Sequence, residues 1–215
     1  MRERKLTAWL WLVGVLAALA YANRLLGGRP PRNEIYHYGL GAGGLVIYAV
    51  MAALVLWIAR GLPRSVLGLR APLSWPRALG LTLVLVVAIL IAEQALEPVL
   101  HAGREQGLEP SRWQPSHADA FAFNAAVIVL VDPVVEELTF RGLGFGLLLR
   151  YGRLAAVGGT ALAFALGHGL VQGLPALLIF GIGIALLRLR TGSVYPGMLL
   201  HACFNGAALA FSLTT

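Results

Sequence analysis

At Val135-Glu136-Glu137-Leu138-Thr139-Phe140-Arg141-Gly142, three charged residues stand within a long apolar run. The chain is 58% hydrophobic and only 13% charged, and its mean hydropathy is +0.76, whereas soluble domains carry about 25% charged residues. The sequence therefore predicts an integral membrane protein. An ionised side chain at bilayer depth is costly unless it is paired or hydrated, so these three residues are functional candidates.

Apolar segments of sufficient length predict an all-α bundle of about seven transmembrane helices, since each span needs about 20 apolar residues. The predicted spans are 7–26, 36–58, 79–100, 119–149, 154–171, 174–189 and 194–213. The fourth span contains Asp132-Pro133. Proline disrupts helical hydrogen bonding and disfavours helical geometry in the residue before it. We therefore expect a kink at this point, or a division that would raise the number of spans to eight.

Two parts of the chain are distinguished by their polar content. Residues 1–118 are predicted to form N-terminal transmembrane helices, and residues 119–215 hold the polar motifs. The first span begins with a basic stretch and contains Ala20-Tyr21-Ala22, which resembles a signal-peptidase site. We favour a retained first helix because further spans follow, and cleavage of a signal peptide stays open as the alternative.

Basic residues predict the orientation of the bundle. One side carries Arg2, Arg4, Lys5, Arg60, Arg64, Arg70, Arg77, Arg150, Arg153, Arg188 and Arg190, and the other carries Arg24, Arg29, Arg32, Arg104 and Arg112. The positive-inside rule then places the N-terminus in the cytoplasm. The net charge of +7 does not indicate a nucleic-acid partner, because no basic patch is interleaved with aromatic residues.

Helical spacing separates the three charges in the fourth span. Glu137 and Arg141 are four residues apart and can pair on one helical face. Glu136 points to a different face. The simplest division makes Glu137 and Arg141 a structural pair and leaves Glu136 available for chemistry. The alternative is that all three residues only join helices together.

Two later segments add polar groups. Phe164-Ala165-Leu166-Gly167-His168 places a histidine in the fifth span, and His201 and Asn205 share one face of the last span. A single intramembrane histidine is usually an interhelical hydrogen-bonding residue. Together with Glu136, however, these groups offer a general base or acid, donors for an oxyanion, and metal ligands.

The combined pattern resembles the CPBP intramembrane proteases, also called the CAAX-protease and bacteriocin-processing or Abi family, which are related to the type II CAAX prenyl endopeptidase. Its motifs Glu-Glu-x-x-x-Arg, Phe-x-x-x-His and Phe-x-x-Gly through Thr-Gly-Ser to His-x-x-x-Asn occur here in order. The matching residues are Glu136, Glu137, Arg141, Phe164, His168, Phe180, Gly183, Thr191-Gly192-Ser193, His201 and Asn205. The similarity covers roughly residues 119–213.

The resemblance implies an intramembrane endopeptidase that hydrolyses peptide bonds of membrane-associated peptides or proteins. On that model Glu136, assisted by His168, deprotonates the attacking water, and His201 and Asn205 stabilise the oxyanion. Glu137 and Arg141, with Phe164, hold the site together.

Metal dependence is open on the same model. The metal-independent, glutamate-type mechanism is favoured because the His-Glu-x-x-His motif is absent and no two histidines share a helical face. A divalent metal such as zinc, held by Glu136, His168 and His201, is the alternative.

Other functions also stay open. A non-proteolytic membrane scaffold or bacteriocin-immunity protein of the same family is the main alternative, and a transporter that uses the carboxylates for proton coupling is a further one. The expected partners are the lipid bilayer and a membrane-associated substrate, in the cytoplasmic membrane of a prokaryote.

Overall fold

The structure is a computed structural model that describes residues 2–27, 33–100, 105 and 112–213. Within these residues all regular secondary structure is helical, which confirms the predicted all-α class. The helices are α1 (Arg2–Gly27), α2 (Tyr38–Ala59), α3 (Trp75–Leu100), α4 (Pro115–Tyr151), α5 (Arg153–Gly167), α6 (Leu174–Thr191) and α7 (Tyr195–Ser212), with a 3-10 turn (Glu34–Tyr36) before α2.

Five of these helices, α1 to α4 and α6, are long and apolar enough to cross a membrane. Helix α5 has only 15 residues, which is about 22 Å. The hydrocarbon core of a bilayer is about 30 Å thick. Helix α5 therefore covers only part of that thickness.

The end of α5 differs from the sequence prediction. The fifth span was expected to continue to residue 171 and to contain His168, but the helix ends at Gly167. Gly169 has a φ of +66°, and left-handed glycines of this kind terminate helices. A Cβ at Gly169 would lie 2.7 Å from the carbonyl carbon of Ala20. His168 thus lies in a turn that packs closely on α1.

Helix α4 is continuous through Asp132-Pro133, so of the two expectations, a kink or a division, the division into two spans is not found. Asp132 keeps helical backbone angles, with φ −52° and ψ −55°. A π-helical stretch, Val127–Val131, comes directly before it, and a second one, Leu138–Gly144, follows. The wider π turn shifts the hydrogen-bond register, which accommodates the missing N–H of proline without breaking the helix.

Contacts between helix ends define two sides of the bundle. The Lys5 ammonium of α1 donates to the carbonyl of Arg60, 2.7 Å away, just after α2. The Arg70 guanidinium donates to the carbonyl of Gly192, 3.0 Å away, between α6 and α7. The start of α1, the end of α2 and the turn between α6 and α7 lie on one side of the bundle, which we call the N-terminal side.

One hydrophobic core joins all seven helices. Trp9 of α1 is 1% exposed, and its indole N–H donates to the carbonyl of Thr139, 2.9 Å away in α4. The absence of a side chain at Gly144 makes room for this ring, since a Cβ there would lie 2.3 Å from it. Helices from both predicted parts of the chain therefore share this core, and the division at residue 118 stays a prediction.

Candidate active site

Three elements bring the predicted polar residues together. Helix α4 carries Glu136, the turn after α5 carries His168, and α7 carries His201. The nearer carboxyl oxygen of Glu136, Oε2, lies 4.0 Å from Nε2 of His168. Glu136 also shares a group with Asp132 and His201 in which one potential ligand atom from each lies within 4.8 Å of the others. The structure thus places Glu136 between both imidazoles.

A buried ion pair lies next to Glu136 on the same helix. Nη1 of Arg141 donates to Oε1 of Glu137 over 2.9 Å, and both side chains are 0% exposed. Nη2 of Arg141 donates to the carbonyl of Gly181 in α6, 3.1 Å away. Nδ1 of His201 lies 3.4 Å from the same Glu137 oxygen. The pair therefore links α4 to both α6 and α7.

Glycines allow the close approach that this network needs. A Cβ at Gly197 of α7 would lie 3.0 Å from Oε2 of Glu137. A Cβ at Gly181 would lie 3.0 Å from the Cα of Ala161 in α5. Small residues at such crossings let membrane helices pack with their backbones close together.

Phe164 forms an aromatic wall of the site. Its ring centroid lies 4.4 Å from the Arg141 guanidinium carbon and 4.5 Å from the imidazole of His168. Phe180 of α6 stacks on Phe164 at 5.5 Å and meets the imidazole of His201 edge-on at 4.9 Å. Ring packing thus restricts both imidazoles and covers the Arg141 guanidinium.

His168 is oriented by its own helix. Nδ1 lies 2.8 Å from the carbonyl oxygen of Phe164. A carbonyl only accepts, so Nδ1 carries the hydrogen, and Nε2 faces Glu136. The side chains of Glu136 and His168 remain 13% and 27% exposed, in contrast to the fully buried Glu137. This pair is therefore partly exposed, whereas the ion pair beside it is fully buried.

Asn205 makes a contact with α4 that the sequence motif did not indicate. Its Nδ2 donates to the carbonyl of Ile128, 2.9 Å away, in the π stretch that precedes Asp132. The bond fixes α7 against α4. One of the two amide hydrogens is engaged with the α4 backbone and the other stays available, and the oxyanion role of Asn205 stays a prediction.

Sequence reasoning missed Asp132 and Tyr48 as site residues. Asp132 was treated only as the residue before proline, although its position four residues before Glu136 placed both carboxyls on one helical face. Tyr48 of α2 lies close enough to interact electrostatically with Asp132 and Glu136. Nothing in the local sequence of α2 indicates this, because the contact is made between distant parts of the chain.

Asp132, Glu136 and His201 form a set that we call the carboxyl cluster. Among the described residues, Oδ1 of Asp132 and Oε2 of Glu136 are buried oxygens without a hydrogen-bond donor. Two carboxylates and an imidazole are a donor set suited to a divalent cation such as zinc, so the residues fit a metal. The metal-dependent alternative named Glu136, His168 and His201 as ligands, whereas in the structure Asp132, and not His168, completes the group with Glu136 and His201.

The comparisons with known proteins agree with the motifs. The family model described as Type II CAAX prenyl endopeptidase Rce1-like matches residues 118–207. No curated protein and no solved structure shows significant similarity to the chain. The matched segment runs from the start of α4 into α7 and holds the carboxyl cluster, His168 and Asn205. Through residues 118–207 the chain is therefore similar to the Rce1-like type II CAAX prenyl endopeptidases, the family that its motifs indicated.

Proposed function

We propose that the protein is an intramembrane endopeptidase that cleaves peptide bonds of membrane-associated peptides or proteins, with Glu136 as the base that activates water. The observation that carries this proposal is the position of the Glu136 carboxyl. It lies 4.0 Å from Nε2 of His168, and its Oε2 has no hydrogen-bond donor among the described residues. Buried polar atoms without a protein partner call for a bound water or ligand.

Water activation follows from this geometry. A separation of 4.0 Å is too long for a direct hydrogen bond, so Glu136 and His168 can share a water between them. Glu136 takes one proton from that water while the water oxygen attacks the carbonyl carbon of the substrate. Glu136 then transfers the proton to the departing amine, and the peptide bond breaks.

His201 can stabilise the oxyanion only in one protonation state. Its Nδ1 faces the carboxylate of Glu137, which accepts a hydrogen bond, so Nδ1 carries a hydrogen. Donation from Nε2 to an oxyanion then requires a doubly protonated ring. Asn205 would act as a second donor through the amide hydrogen that the carbonyl of Ile128 does not engage.

The carboxyl cluster is the set that would hold a divalent cation, which would supply a more acidic bound water when present. We favour the metal-independent mechanism, in which Glu136 acts as the base and Asp132 as its polar neighbour.

The orientation that we propose places the N-terminal side in the cytoplasm of a prokaryotic cell. Four basic residues lie on this side by the contacts that they make: Lys5, Arg60, Arg70 and Arg150. Arg150 is placed there by its ion pair with Glu3 at 3.5 Å. Basic residues accumulate on the cytoplasmic side of membrane proteins.

Purified protein in proteoliposomes should cleave a fluorogenic peptide that is anchored to the membrane. Glu136→Gln should lower kcat by about 100- to 10,000-fold, because it removes the base but keeps the size of the side chain. Glu34→Gln is the matched control, since it makes the same change in a short turn before α2 and should leave kcat unchanged.

Thermal unfolding of both variants shows whether the fold is kept. Cleavage by Glu136→Gln at the wild-type rate would remove Glu136 from the mechanism. A cellular phenotype that survives both Glu136→Gln and His168→Ala would favour the scaffold or immunity protein instead.

A further inference from the structure

The turn that carries His168 is held by residues outside the segment that matches the family. Residues 168–173 are not helical, and the backbone N–H of His168 makes only a long contact, 3.4 Å, to the carbonyl of Ala165. Non-helical backbone at membrane depth needs partners for its polar groups, which lipid cannot supply. Besides the bond of its ring to the Phe164 carbonyl, the position of His168 therefore depends on what binds the residues that follow it.

Glu105 supplies those partners. It follows α3 in the chain, is only 5% exposed, and its two carboxylate oxygens accept separate backbone N–H groups. Oε1 accepts from Val171 over 3.0 Å, and Oε2 accepts from Gly173 over 2.9 Å. Gly173 is the residue before α6 and has no side chain to cap that helix. Glu105 thus supplies the anion that a helix N-terminus favours.

Arg24 of α1 completes the arrangement. Its Nη2 lies 2.9 Å from Oε1 of Glu105, and its Nη1 donates to the backbone carbonyl of the same residue over 3.1 Å. The guanidinium therefore neutralises the buried carboxylate and fixes its backbone. Bonds between charged groups are shorter and about twice as strong as neutral ones.

The start of the turn is bound by α1 as well. The Tyr21 hydroxyl donates to the carbonyl of Leu170 over 3.0 Å, and Gly169 packs against the backbone of Ala20. Contacts from α1 and Glu105 thus account for most of the turn after His168.

We propose that Glu105, neutralised by Arg24, is a positioning residue for His168. It fixes the turn between α5 and α6 so that Nε2 of His168 stays at the distance from Glu136 at which both can hold a water. The consequence for catalysis rests on the proposed endopeptidase function. The fixing of the turn by Glu105 is independent of that function. It makes the N-terminal part of the chain a component of the site.

Hydrogen exchange of the backbone amides tests the fixing directly. In Glu105→Gln one carboxylate oxygen becomes an amide nitrogen that cannot accept, and the ion pair with Arg24 is lost. Exchange at Val171 and Gly173 should rise by about 10- to 100-fold. Glu34→Gln is the control of equal charge change and should leave both amides as they are. Unchanged exchange in Glu105→Gln would overturn the proposal.

The ring of His168 supplies the second measurement. Its ¹⁵N resonances should report the Nδ1–H form in the wild type and a mixture of ring states in Glu105→Gln. If the amides exchange faster while the His168 resonances stay unchanged, Glu105 holds the turn only, and the positioning role is refuted. Both measurements give an answer even if the protein proves to have no peptidase activity.

Turnover completes the test in an active preparation. Glu105→Gln should lower kcat about tenfold with little change in KM, because Glu105 acts through His168 on this proposal. Arg24→Met should act in the same way, and Arg24→Lys should restore part of the loss because it keeps the charge. A rise in KM with unchanged kcat would contradict a role through His168.

Discussion

Replacing Arg141 with methionine should destabilise the protein strongly. The guanidinium is 0% exposed and lies 2.9 Å from the equally buried Glu137 carboxylate. It also donates to the carbonyl of Gly181 and contacts the ring of Phe164. Methionine fills similar space but carries no charge and no donor. The variant Arg141→Met would therefore leave Glu137 buried with only His201 beside it.

The expected magnitude follows from the burial of both charges. Removing one partner of a buried ion pair costs about 3–5 kcal/mol, because the other charge stays buried without compensation. The total stability of a folded domain is about 5–15 kcal/mol. Replacing both partners with apolar residues is often neutral. The double variant Glu137→Leu/Arg141→Met should therefore recover most of the stability that Arg141→Met loses.

Unfolding by SDS in mixed micelles, followed by circular dichroism, measures these differences. Arg190→Met is the matched control, since Arg190 is exposed at the end of the same helix that carries Gly181. It should change stability by less than about 0.5 kcal/mol. The reasoning is refuted if Arg141→Met unfolds within about 1 kcal/mol of the wild type, or if the double variant is as unstable as the single one.

Three further predictions concern acid, packing and metal. Burial alone would raise the pKa of Glu105, but the N–H groups of Val171 and Gly173 and the guanidinium of Arg24 outweigh burial and lower that pKa below its ordinary value of 4.5. The stability that Glu105 contributes is therefore complete above pH 4.5 and is lost as pH falls through the lowered pKa. Amide exchange in the turn should accelerate only in acid, and acceleration near neutral pH would contradict this prediction. Gly197→Ala should lower the unfolding midpoint, because its Cβ would lie 3.0 Å from the Glu137 carboxylate, whereas Gly43→Ala, where no atom lies within 4 Å, should not. Peptide hydrolysis should persist after exhaustive chelation, with no stoichiometric metal by elemental analysis; loss of activity that zinc restores would make Glu136 a ligand of the carboxyl cluster instead of the base.

Local patterns were enough to identify the class of protein and the polar motifs. Composition indicated a membrane protein, since so few charged residues cannot cover a soluble surface. The spacing of Glu137 and Arg141 indicated their pairing, because residues four apart lie on one face of any helix. The structure contains that pair.

Local patterns failed where a helix responds to its surroundings. Proline at 133 was expected to kink α4 or to divide it, but a π turn placed before it keeps the helix continuous. His168 was expected inside a helix, but Gly169 ends α5 just before it. Neither change could be read from spacing, since each depends on packing against other helices.

The sequence by itself therefore determined the all-helical membrane class. It also identified the candidate site residues Glu136, Glu137, Arg141 and His168, because these depend on composition and on contacts within one helix. Only the tertiary structure placed His201 beside Asp132 and Glu136, and brought Arg24 and Glu105 to the turn after His168. Those contacts join residues up to about 80 positions apart. No local period encodes them, since they arise only when separate helices pack.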